Sequence, residues 1–289
     1  MSGTGAGRVL ALFATLTYLF LLGPVLIVFV ISFSADTFIT FPPSGLSLRW
    51  YGRVFGHPAL MEGLRLSLIV GVIVAVLSLA IGVPAAWALA KGRFPGREAL
   101  ANLFLAPILL PTLVLGLALL LAFQPLRLTA TIPGLVIGHL CVTLPFVVRM
   151  TTTAFQTIPE EVEAAAATLG ASPWRVAWTV TLPLAAPGLA AAGALSFLLS
   201  FDETVVSLFL SGPRASTLPV EMVRYVEGRT DPMIAALSTL LVAGTIAVEV
   251  ALMGAVENFR RSGTGPAGYS PGVGKFDSEV FDGLDSLYP

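Results

Sequence analysis

The sequence predicts an all-α protein that crosses a membrane six times, and three observations carry that prediction. Hydrophobic residues make up 56% of the 289 positions and charged residues only 11%, against roughly 25% charged in an ordinary soluble chain. The mean hydropathy is +0.88. The charges are also unevenly spread, leaving long uncharged stretches between Arg8 and Asp36, Arg65 and Lys91, Glu98 and Arg127, Arg127 and Arg149, and Arg175 and Asp202. So few charges could not cover the surface of a cytosolic enzyme, and a chain this apolar is not disordered.

A helix crosses about 30 Å of hydrocarbon in roughly 20 residues. On that measure the spans fall at about 9–33, 65–90, 99–123, 132–155, 184–210 and 233–256. None shows the polar alternation of a membrane β-strand, so helices are expected. The formal net charge is −1, from 16 basic and 17 acidic residues, which leaves no basic field for nucleic acid. Membrane lipid is the expected surrounding. The single cysteine, Cys141, excludes an internal disulfide and a cysteine-based zinc site.

Residues 1–8 form a short terminal segment. The run after Arg8 is too long for a secretory core of about 7–15 residues, so the first span is expected to be an uncleaved anchor. Lys91, Arg93 and Arg97 separate the second and third spans, and Arg260 and Arg261 follow the sixth. Basic loops stay on the cytoplasmic side, which puts both termini inside. Arg49, Arg53, Arg214, Arg224 and Arg229 then lie outside. The aromatic residues of 38–55 are expected to be interfacial anchors.

Pro107, Pro111 and Pro145 permit bending of the third and fourth spans. His139 and Cys141, in the fourth, are expected to pack or hydrogen-bond to a neighbouring helix rather than bind metal, since no second histidine is near. Arg149 snorkels from a helix end. Glu249, in the sixth span, either faces the bundle interior or has another role. After it, 261–289 is expected to be a disordered polar tail with Asp277, Glu279, Asp282 and Asp285. Gly268–Lys275 has a faint likeness to a phosphate loop but fails on register, because Tyr269 stands at the first glycine and Phe276 follows the lysine.

The most informative stretch is the connection 156–183, the longest cytoplasmic loop. Thr157 is expected to cap a helix, with Pro159 in its first turn and Glu160 completing a capping box. Glu160, Glu161 and Glu163 lie at the positive end of a short alanine-rich helix, and Gly170 stops it. Ser172 and Pro173 cap a second short helix carrying Trp174, Arg175 and Trp178. Such a hairpin either rests on lipid headgroups or forms a docking surface for a soluble partner.

This loop resembles the EAA loop of ABC-importer permeases. Gly170, the Ala171-Ser-Pro-Trp174 that follows it and the terminal Val180-Thr-Leu182-Pro183 match the pattern. The motif's glutamate position is Ala164, followed by Ala165, while the nearest acid, Glu163, stands one residue earlier. One residue rotates a helical side chain by about 100°. The resemblance implies a coupling helix seated in a cleft of an ATPase subunit, with Glu163, Ala164, Ala165, Gly170, Trp174, Leu182 and Pro183 as the coupling residues. Docking by shape and apolar contact does not need the displaced acid.

Phe41-Pro-Pro-Ser-Gly-Leu-Ser-Leu-Arg-Trp-Tyr51, Arg93-Phe-Pro-Gly96, Ser200-Phe-Asp-Glu203, Ser207-Leu-Phe-Leu-Ser-Gly-Pro213, Thr217-Leu-Pro219 and Asp231-Pro232 are similar to the second permease of spermidine/putrescine-type importers. The resemblance covers 9–260. It implies a type I importer transmembrane domain of five core helices and one peripheral N-terminal helix, in a bacterial inner membrane. The implied partners are a second permease, two ATPase subunits that hold the ATP and magnesium, and a periplasmic or lipid-anchored substrate-binding protein. The chain itself would bind no cofactor or metal and carry no catalytic residue. The implied cargo is a polyamine, although relatives carry aminoethylphosphonate, iron(III) or thiamine; a secondary transporter is the alternative from another class. Asp202 and Glu203 fall within the fifth span, where a charge costs a few kcal/mol unless it meets water or a partner. They either line the translocation path and favour a cation, or cap a helix break or pair with Arg149 or a residue of the partner permease.

Overall fold

The computed structural model describes residues 3–261. The polar tail and Gly268–Lys275 lie outside the described residues, as does the side chain of Glu249. Among the described residues all regular structure is helical, apart from the isolated bridges Ser34–Leu46 and Gly212–Ala215. The helices are α1 (Gly3–Ser32), α2 (Arg49–Phe55), α3 (Pro58–Lys91), α4 (Arg97–Leu105), α5 (Thr112–Phe123), α6 (Ile132–Gln156), α7 (Glu160–Thr168), α8 (Pro173–Val176), α9 (Leu182–Asp202), α10 (Val205–Leu210), α11 (Leu218–Gly228) and α12 (Met233–Arg261). Gly7–Ser32, Pro58–Lys91, Ile132–Gln156 and Pro173–Asp202 are each long and apolar enough to cross a membrane. A fifth candidate is the pair Arg97–Leu109 and Thr112–Phe123, bent by 103°.

That bend corrects the expectation of one helix over 99–123. Leu110 adopts φ −89°, ψ 135° and Pro111 φ −55°, ψ 133°. The proline ring disfavours helical backbone in the residue before it, so the chain turns there. The second span is also longer than expected, because Pro58 stands in the first turn of α3 and the His57 side chain accepts from the Leu60 amide at 3.5 Å. Glu62 and Arg65 are exposed on its opening turns, 4.0 Å apart, so a count that stops at charges loses those turns.

Helices α3, α6 and α9 pack against one another as the centre of the bundle. Small residues let them approach closely, as is usual between membrane helices. A Cβ on Gly82 of α3 would lie 2.8 Å from Val147 of α6, and one on Gly193 of α9 would lie 2.8 Å from Leu79 of α3. Buried hydroxyls add polar links: Ser78 and Thr143 are 2.9 Å apart, and Ser67 accepts from the Leu218 amide at 2.9 Å. By contrast α1 packs along α12 and exposes Leu12, Phe13, Leu16 and Phe20. A helix apolar all round is stable in that position only when lipid covers it.

At the end of the bundle remote from 156–183, the link between α1 and α2 is fixed by one carboxylate. Asp36 accepts from Ser34 Oγ (3.1 Å), Thr40 Oγ1 (2.7 Å), the Ser44 amide (2.9 Å) and the Ser44 hydroxyl. These donors, Ser44 foremost, hold its pKa well below the ordinary carboxylate range. For Trp50, the same segment corrects the reading as an interfacial anchor. Phe38, Phe41 and Phe55 are exposed, but Trp50 is buried among Val54, Leu60 and Leu218. The guanidinium groups of Arg49 and Arg53 lie 4.8 and 4.7 Å from its ring centre, where a cation is attracted to the π face.

Candidate functional site

Two places gather the residues that the sequence singles out. The first is the hairpin α7–α8 with the turn into α9. Thr157 does not cap α7. Its hydroxyl donates to the Ala154 carbonyl at 2.8 Å, closing α6 instead. Pro159, in extended backbone with ψ 136°, precedes α7 and contributes no side-chain cap. The capping box therefore does not form, because the proline holds Ile158 out of helical geometry.

The other end of α7 is a Schellman turn. The Gly170 amide donates to Ala167 (2.9 Å) and the Ala171 amide to Ala166 (3.2 Å), with Gly170 at φ +86°. Ser172 then accepts from the Arg175 amide at 3.4 Å and starts α8, with Pro173 in its first turn. Residues Ala177–Thr181 form a π turn that leads into α9.

The predicted coupling residues separate into two faces. Ala164, Ala165, Trp174 and Pro183 are exposed, and Trp174 lies edge-on to Trp178 with ring centres 5.5 Å apart. Leu169, 90% exposed beside the Gly170 turn, joins this face; an apolar residue next to a helix stop is its only signal in the sequence. Leu182 faces the other way, packing with Ala86, Phe155, Ile158 and Ala185. Glu163 also faces inward. Its Oε2 is 3.0 Å from Lys91 Nζ, and its Oε1 accepts from Thr181 Oγ1 at 2.7 Å.

The second place corrects the continuous fifth span over 184–210. Helix α9 ends at Asp202, and Glu203 is extended at φ −67°, ψ 99°. Glu203, one residue before the N-cap Thr204, accepts through Oε1 from the Val206 amide at 3.0 Å and so satisfies a first-turn donor of α10. Asp202 is exposed at the end of α9. Neither acid pairs with Arg149 among the described residues. His139 of α6 bridges the break, with Nδ1 2.8 Å from Ser200 Oγ and Nε2 2.9 Å from Ser207 Oγ. Ser200 and Ser207 open the Ser200–Glu203 and Ser207–Pro213 stretches, but nothing local marks them as partners of His139. The break lies about two turns inside the end of α6 remote from the hairpin. No cluster of metal-ligating side chains occurs among the described residues.

Comparison with known proteins agrees with this architecture. Residues 78–262 match the family described as binding-protein-dependent transport system inner membrane component. The chain is 32% identical over 233 residues to the putrescine transport system permease protein PotI of Escherichia coli (strain K12), covering 78% of this chain and 83% of that one. It is 31% identical over 240 residues to the spermidine/putrescine transport system permease protein PotC of the same strain, covering 83% and 90%. The fold is similar to that in a crystal structure of a bacterial ABC transporter involved in the import of the acidic polysaccharide alginate. The TM-score is 0.65 at 21% identity, covering 87% of this chain and 95% of that one.

Proposed function

Since the chain belongs to the family of binding-protein-dependent transport system inner membrane components, we propose that it is the permease that carries a polyamine, such as putrescine or spermidine. Membership makes it a multi-pass inner-membrane subunit of an ABC importer. Such a subunit binds no cofactor and hydrolyses no ATP; partner ATPase subunits hold the nucleotide, and a substrate-binding protein and a partner permease complete the importer.

The observation that carries the polyamine reading is the similarity to PotI and PotC along most of their length. The acids at the α9–α10 break support it. A polyamine loses water around its ammonium groups inside the path, and an opposite charge at about 4 Å returns about 4 kcal/mol at an effective dielectric of 20. In this reading Asp202, exposed at the end of α9, faces the path, and Glu203 holds the break open by satisfying the first turn of α10.

The topology that goes with it has six spans over 9–260, with α12 as the sixth and both termini cytoplasmic. The hairpin 156–183 then lies in the cytoplasm and seats against an ATPase subunit. Leu169, Trp174 and Trp178 form its apolar contact, with Ala164 and Ala165 allowing close approach. ATP closes the ATPase pair, and the hairpin passes that movement to the bundle, which opens alternately to each side.

The test is transport of labelled spermidine by the reconstituted importer with its binding protein. Asp202→Asn should lower the rate about tenfold or more with complex yield and basal ATP hydrolysis unchanged, and Glu203→Gln should lower it less. Normal transport by Asp202→Asn, or a loss that follows complex yield, would return the acids to a structural role.

A further inference from the structure

Glu163 is the acid that stands one residue away from the glutamate position of the loop motif, and the fold gives that displacement a purpose. Ala164, at the motif position, is exposed, whereas Glu163 is turned toward the bundle. Both of its oxygens are engaged, one by Lys91 and the other by Thr181. A carboxylate held in this way does not also reach a subunit seated on the exposed face. Resting on the permease reading above, we propose that Glu163 is a positioning residue that fastens the coupling hairpin to the membrane bundle through Lys91 and Thr181, rather than a contact for the ATPase.

Three features support a fastening role. The paired Lys91 and Glu163 side chains retain only 19% and 21% of their exposure, so solvent screens them less than a surface pair. Lys91 is the last residue of α3, where the helix carbonyls favour a cation. Thr181 is buried and closes the π turn, which rotates the following helix relative to an uninterrupted α-helix.

One side chain of α7 therefore joins the end of α3 to the turn that leads into α9. Both helices belong to the centre of the bundle, so a displacement of the hairpin reaches α3 without passing around through α6. Glu160 and Glu161 remain exposed on the first turn of α7, leaving acidic groups on the outer face that need not carry this link.

The experiment uses the complete importer, with Lys91→Glu, Glu163→Lys, the double charge exchange, and Glu163→Gln. Glutamine keeps the volume and an acceptor for Thr181, so it is the variant least disturbing to folding. All four should retain the ATPase subunits through purification. Hydrogen exchange of the amides in 160–182 should rise about tenfold in each single charge reversal. It should return to within about threefold of wild type in the double exchange, because the pair is restored in reverse.

Stimulation of ATP hydrolysis by spermidine-loaded binding protein should fall and recover in the same order. The proposal is overturned if Glu163→Gln releases the ATPase subunits, or if the double exchange behaves no better than the single reversals. Failure of the permease reading itself would appear separately, as a wild-type chain that retains no ATPase subunit.

Discussion

His139 donates or accepts between two serines that belong to different helices, and it is wholly buried while doing so. Hydrogen bonds between membrane helices average about 0.6 kcal/mol each, and stranding buried partners adds about 1–3 kcal/mol. His139→Leu should therefore destabilise the chain by about 2–4 kcal/mol, and His139→Gln by less. Thermal unfolding in detergent checks this; an unchanged midpoint for His139→Leu would show that the serines find other partners. Gly170 presents a different cost. A Cβ there would meet nothing within 4 Å, but φ is +86°, so the penalty is backbone strain of roughly 1–2 kcal/mol without a clash. Gly170→Val should weaken stimulation of ATP hydrolysis by the loaded binding protein while assembly persists, whereas Gly170→Asn, which tolerates left-handed backbone, should keep it. Equal stimulation in the valine variant and wild type would remove the turn from the coupling argument.

At the scale of elements, polar interactions also fix the junctions between helices. Where α11 meets α12, the Tyr225 hydroxyl donates to both Asp231 oxygens, at 2.9 and 2.7 Å, and Asp231 accepts from the Met233 amide at 3.1 Å. Burial first, then the hydrogen bond and charge of Asp231, push the Tyr225 pKa up to about 12. A pKa raised in the folded state means that the protonated phenol is the stabilised form. Its contribution is complete below the ordinary tyrosine pKa of about 10 and disappears as pH rises toward about 12. Alkaline unfolding should show a step in that window for wild type, reduced in Tyr225→Phe, when followed by near-ultraviolet absorbance and circular dichroism together. A step of equal size in Tyr225→Phe would assign it to other groups. The hairpin is fixed by its junctions in the same way, through the Schellman turn at Gly170, the Ser172 cap and the Glu163 bridge.

For the whole molecule, the hairpin and the Asp36 loop occupy opposite ends of the central bundle. In a Cys141→Ser background, a cysteine at Glu161 should react with a membrane-impermeant thiol reagent only after the cytoplasmic side is opened. A cysteine at Arg214 should react from outside in intact cells. Both positions are exposed. Reaction of both from the same side would overturn the six-span topology with cytoplasmic termini.

The long apolar helices α1, α3, α6 and α9 were legible in the sequence because hydropathy is summed over local residues, and the capacity to cross a bilayer depends on that sum. Gly170 was legible for a related reason: the turn it makes needs a backbone conformation that glycine adopts without strain, whatever surrounds it. The breaks at Pro111 and after Asp202 were less so. Each interrupts an apolar run without changing its hydropathy, and the proline signal told that the chain could bend but not where. The inward turn of Glu163 was not legible at all. Its direction depends on how far α7 is rotated against α3 and α9, and its partners Lys91 and Thr181 come from those separate segments. The pairing of His139 with Ser200 and Ser207 is of the same kind. The sequence by itself determined which long helices are apolar enough to cross a membrane and where the hairpin turns. Only the tertiary structure decided which polar groups meet, because such contacts require the packing of distant helices to bring them within about 3 Å.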